Sequence, residues 1–128
     1  MVKLGAIGQI ARPVSDIEKA VEFYRDVLGL PHLYTFGDLA FFDMDGTRLY
    51  LHRKDEADWQ PGSILYFVVD DIDAAWEELG RRGVDQAEPP HRIHVHADTG
   101  IEEWMAFFAD GEGNTLALMA QMTARPEG

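Results

Sequence analysis

The chain has no cysteine. It can therefore form no disulfide, supply no thiolate nucleophile and build no zinc–thiolate site. Basic residues are scarce as well: eleven Lys and Arg stand against twenty-three Asp and Glu, for a formal charge of -12. Neutralising phosphates takes a basic stripe, so the composition argues against nucleic acid as a partner, and an acidic field attracts cations instead. There is no run of eighteen apolar residues, and MVKLGAIGQIARP has neither the uninterrupted apolar stretch nor the small-residue cleavage site of a signal peptide. A cytoplasmic protein with no membrane partner is the expectation. A phosphate loop, a dinucleotide fingerprint and a Ser-His-acid order are also missing; GQIARP lacks the glycines that such a loop needs.

What the chain does have is repetition. LAFFDMDGTRLYL (39–51) and MAFFADGEGNTLALM (105–119) spell nearly the same strand, turn and strand, and SDIEKAVEFYRDVLGL (15–30) matches DDIDAAWEELGRRGVD (70–85) at an offset of 55. Each copy opens with a strand signal, GAIGQIARPV or SILYFVVD. A capping residue follows, Ser15 or Asp16 in the first copy and Asp70 or Asp71 in the second. Ile17, Val21, Tyr24 and Leu28, like Ile72, Ala75, Trp76 and Leu79, then recur at helical spacing, and Gly29 and Gly80 are read as the helix stops. Runs of period two complete each copy, the last pair joined by DG or DGEG. Each module thus reads βαβββ. With 128 residues, 46% of them hydrophobic, a single domain is expected: module one over 1–53, a polar linker over 54–62, module two over 63–121 and a tail over 122–128.

A two-residue turn at Asp45-Gly46 predicts the register of the hairpin. It sets Phe41 opposite Tyr50, Phe42 opposite Leu49 and Leu39 opposite His52. Alternation then sends Phe42, Leu49 and Leu51, with Phe108, Leu116 and Leu118, to the helix-covered side. Leu39, Phe41, Tyr50 and His52 face the other way, echoed by Met105, Phe107, Ala117 and Met119. So apolar a second face suggests a concave pocket or an interface rather than a solvated surface.

These segments, PVSDIEKAVEFYRDVLGL, FFDMDGTRLYL, YFVVDDIDAAWEELGRRGV and AFFADGEGNTLALM, resemble the vicinal oxygen chelate superfamily, which includes glyoxalase I, bleomycin-resistance proteins and extradiol dioxygenases. The resemblance implies an α+β fold in which two βαβββ modules form a curled eight-stranded mixed sheet, a cup, commonly in a homodimer. It also implies a divalent metal in many members, held by a residue of the first and last strand of each module. Those positions fall here on Gln9, Tyr50, Ile64 and Ala117. Only Gln9 carries the kind of donor the metal site uses, and isoleucine and alanine have none.

Three functional readings follow. The first is a metal-free binding protein resembling the bleomycin-resistance branch. It would sequester an apolar or aromatic compound, the acidic balance favouring a cationic one, in a site lined by Gln9, Leu39, Phe41, Tyr50, His52, Ile64, Tyr66, Met105, Phe107, Ala117 and Met119. The second is a glyoxalase- or dioxygenase-type enzyme with a displaced metal, drawing on Gln9, His52, His94, His96 or Glu103. The third is an apolar face consumed by dimerisation. His91, after Pro89 and Pro90, reads as structural, Trp104 as core packing, and no catalytic residue can be assigned.

Overall fold

The computed structural model describes residues 2–55 and 57–123. The chain divides into two compact units, Met1–Gly62 and Ser63–Gly128. In the first unit, β1 (Gln9–Val14) leads to α1 (Ile17–Glu22), then β2 (His32–Phe36), β3 (Leu39–Met44) and β4 (Thr47–Arg53). In the second, β5 (Leu65–Val68) leads to α2 (Ile72–Arg81), β6 (Asp85–Val95), β7 (Glu102–Ala109) and β8 (Thr115–Met122). Both are βαβββ, and each builds its own four-stranded mixed sheet, ordered β1-β4-β3-β2 and β5-β8-β7-β6.

The order follows from the connections. Antiparallel neighbours β3 and β4 need only the Asp45-Gly46 turn, where φ is +53° and +103°, the left-handed pair of a tight hairpin. The first strand reaches its partner through a helix, and so pairs parallel to the last: β1 with β4, β5 with β8. In module two the corresponding turn is held by Asp110, whose carboxylate accepts the backbone N–H groups of Glu112 and Asn114 and the Asn114 amide at 2.8–3.1 Å.

Asp16 and Asp71 cap the two helices, each accepting the backbone N–H three residues on. The first helix widens into a π-type turn over Phe23–Val27, with the Leu28 N–H donating to Phe23 O, and ends at Gly29 with φ +76°. The second does not stop at Gly80. It runs on to Arg81, and the left-handed residue that ends it is Gly83, φ +80°. Gly80 answers a different need: a β-carbon there would lie 2.9 Å from Oε1 of Gln86, whose amide nitrogen donates to Trp76 O at 2.7 Å.

The helix-facing sides form the cores. Phe42, Leu49, Leu51 and Tyr24 are fully buried in module one, as are Phe108, Leu116 and Ile72 in module two, each large side chain contributing about 1.5–3 kcal/mol. The hairpin register is the expected one, with Leu39, Phe41 and Phe42 opposite His52, Tyr50 and Leu49. Three boundaries differ from expectation. Residues 5–8 precede the first strand, leaving Gln9 as its first residue, and Ile64 sits one position before β5. Segment 54–62 is no detached linker but part of the first unit, where the Trp59 indole N–H donates to Pro13 O at 3.1 Å. Of the expected tail, Met122 closes β8, and residues 124–128 lie outside the described residues.

Candidate ligand site

On the face of module one turned from its helix, alternation brings aromatic rings from three adjacent strands into line. Tyr34 of β2 stacks on Phe41 of β3 at 4.6 Å between centroids, and Phe41 stacks on Tyr50 of β4 at 5.1 Å with planes 17° apart. His52 leans on Tyr50 at 5.3 Å. Cross-strand spacing is close to the distance stacked rings prefer, so the ladder follows from the register. One strand further, the residue paired with Tyr50 is Ala11, which is exposed. The side of the Tyr50 ring away from Phe41 therefore has an alanine beside it in register rather than a further ring, a gap in the ladder that forms an open slot at the sheet edge.

The ends of this slot are polar. Gln9 and Arg48 pair in register at one end, and the Arg48 Nε–H donates to the Gln9 carboxamide oxygen at 2.7 Å. The guanidinium also lies 5.3 Å from the centre of Phe41. At the other end His52 pairs with Pro13. Burial, with a further push from Lys54, lowers the His52 pKa below the ordinary histidine value. Leu39, across from His52, is half-buried.

Module two carries the same face with the roles exchanged. Here the first strand holds the aromatic residue, Tyr66, and the last strand holds the alanine, Ala117, paired in register. Phe107 flanks Ala117 from the other side, and the Tyr66 and Phe107 rings meet edge to face at 6.0 Å. Ala117, expected to line an open face, is fully buried, because rings on both neighbouring strands occupy the space beside it. Met105 and Met119, opposite one another, are half-buried, while Ile64 and Tyr66 are exposed.

Within neither unit do the residues of the displaced metal set assemble. Gln9 and His52 belong to one sheet but stand four strand residues apart, about 13 Å. The only oxygen of Gln9 able to bind a cation already faces the Arg48 guanidinium. In module two, bulges in β6 and the turn after it bring His94 and His96 together, but edge to face at 4.9 Å, with His96 hydrogen-bonded to Glu103 at 3.0 Å. Glu103 also accepts from Gln121, and these bonds, the one from His96 foremost, hold its pKa below the usual carboxylate value. Among the described residues no three His, Asp or Glu side chains converge as metal ligands. Nor do the four positions that the family resemblance marks fit a divalent ion: Gln9 is engaged, Tyr50 is stacked, and Ile64 and Ala117 have no donor.

His91 is tied to Pro89 O at 2.8 Å and rests on Phe107, a structural role. Trp104 is half-buried, with its indole N–H on Glu102. Three residues of the module-one face escaped the sequence reading: Ala11, Tyr34 and Arg48. The same alternation that selected Tyr50 and His52 puts Arg48 on their side, and a search for polar as well as apolar residues would have found it.

The model of the Glyoxalase/Bleomycin resistance protein/Dioxygenase superfamily matches residues 6–118. The chain belongs to this superfamily. Uncharacterized protein YraH of Bacillus subtilis (strain 168) is 29% identical over 128 residues, spanning 86% of this chain and 94% of its own. Among solved structures, an integron cassette protein from the mobile metagenome of V. cholerae is similar with a TM-score of 0.72 at 20% identity, covering 94% of this chain and 98% of its own. A lactoylglutathione lyase from Agrobacterium tumefaciens gives 0.71 at 22% identity, with 91% and 94% covered. At such identities the structural likeness speaks to the superfamily fold alone. Among the described residues no helix is long and apolar enough to cross a membrane.

Proposed function

We propose that this superfamily member is a metal-free small-molecule binding protein, resembling bleomycin-resistance proteins in holding an aromatic compound without altering it. The observation that carries this reading is the ring ladder of Tyr34, Phe41 and Tyr50, which stops at Tyr50 beside the exposed Ala11. A planar ligand inserted there continues the stack, and each aromatic pair adds about 0.5–1.5 kcal/mol beyond the area it buries. The donor set supports the metal-free part, since a guanidinium stands where a metal would need the Gln9 oxygen.

The test uses untagged full-length protein. Elemental analysis after incubation with nickel, zinc and ferrous ions is expected to find well under one equivalent of metal per chain. In parallel, chelator-treated protein should melt at a higher temperature with at least one member of a panel of aromatic antibiotics, because a ligand specific for the folded state raises the midpoint. A full equivalent of metal that Gln9→Ala removes would overturn the metal-free reading. Absence of any shift across the panel would overturn the binding reading.

A further inference from the structure

We infer that the slot beside Tyr50 selects aromatic compounds that carry a carboxylate, with Arg48 as the anion-binding group and Gln9 as its positioning residue. The inference rests on the binding reading above and names its ligand class.

Arg48 stands two residues before Tyr50 on β4 and shares its face. Two contacts define the guanidinium's place: the hydrogen bond from Nε to the Gln9 oxygen and the approach to the Phe41 ring. Both leave the terminal nitrogens available, and among the described residues Arg48 makes no ion pair. The bond from Arg48 also orients the Gln9 amide, so that its nitrogen is a second donor at the same end of the slot. A planar guanidinium fork beside a carboxamide N–H matches a carboxylate, and charge-assisted bonds of this kind are the stronger ones.

The acid nearest in register, Asp43, accepts the Gly46 N–H at 2.9 Å and so braces the turn rather than pairing with Arg48. At the opposite end, burial and Lys54 disfavour the charged form of His52. The chain's charge of -12 favours cations at long range. Screening confines such fields to about 8 Å at physiological salt, so the group touching the ligand decides its sign. In effect a fixed cation, oriented by the residue at a metal-ligand position of the family, receives the ligand's oxygen atoms.

The probes are 2-naphthoate, 2-naphthamide and 2-naphthylmethylammonium, which share one ring system and differ in charge. Each is titrated calorimetrically into chelator-treated full-length protein. Naphthoate is expected to bind about ten-fold or more tighter than the amide, the ammonium most weakly, and added salt should weaken naphthoate but not the uncharged amide. Arg48→Gln should abolish the preference for naphthoate over the amide, and Arg48→Lys should restore part of it. Gln9→Leu should reduce the naphthoate-to-amide ratio several-fold, a ratio that a general loss of stability does not move. Equal affinities, a preference for the ammonium, or a preference that survives Arg48→Gln would overturn this inference and leave the aromatic slot standing. Failure of all three probes to bind would overturn the slot as well.

Discussion

Ala11→Phe tests the slot from both sides, because filling it should stabilise the fold and abolish binding. The new ring would stand beside Tyr50 on an exposed edge-strand position, extending the Tyr34–Phe41–Tyr50 ladder by one rung. Cross-strand aromatic pairs contribute roughly 0.2–1 kcal/mol over alanine, and stacking adds a comparable amount, so a net gain of about 0.5–1 kcal/mol is expected. For a chain of this length that is a rise of roughly 2–4 °C in the melting midpoint. The matched control is Ala117→Phe. It places the same ring on the fully buried alanine of module two, where overpacking should cost about 1–3 kcal/mol or more. Urea denaturation gives the stabilities, and the naphthoate titration gives the affinity. A destabilised Ala11→Phe protein would mean that the space beside Tyr50 is already filled, and unchanged naphthoate affinity would mean that the ligand binds elsewhere. Either result refutes the reasoning.

Gly80→Ala sets a helix-propensity gain of about 1 kcal/mol against the hydrogen bond from the Gln86 amide to Trp76 O, worth about as much. The single substitution should therefore be close to neutral, whereas in a Gln86→Ala background it should stabilise by about 1 kcal/mol; a double-mutant cycle in urea reads the difference. His52 provides a pH dependence. Its folded pKa is lowered, by burial first and Lys54 second, so on acidification the unfolded chain takes up the proton before the folded one does. Its contribution is intact above the unfolded value of about 6.5 and is lost as pH falls through the folded value. Stability measured from pH 8 downward should decline across that window, and less steeply in His52→Gln; parallel profiles for the two proteins would contradict the assignment.

The features legible in the sequence were the local ones. Asp45-Gly46 determines a hairpin register because a two-residue left-handed turn leaves the flanking strands a single alignment, and every pair read from it is present, Leu39–His52 to Phe42–Leu49. Faces followed from parity. The misreadings came where residues outside the local period decide the matter. Gly80 looks like a helix stop until Gln86 is seen packed against it, and Ala117 looks like an open wall until Tyr66 and Phe107 are placed on its two neighbouring strands. Tyr34 was hidden by the register shift between His32 and Tyr34, which breaks the period on which the reading relied. His94 and His96 show a subtler limit. Their spacing correctly implied proximity, but the edge-to-face meeting of the rings, and the hydrogen bond to Glu103, depend on bulges that no two-residue period encodes.

Duplication normally leaves a protein with two equivalent addresses, and a small molecule that fits one copy should fit the other. Here the exchange of tyrosine and alanine between the first and last strands, Ala11 with Tyr50 in one copy and Tyr66 with Ala117 in the other, removes that equivalence. Two modules built on one repeat thus differ in kind: one leaves its ladder ending at Tyr50 beside Ala11, and the other brings Tyr66 and Phe107 together edge to face beside Ala117.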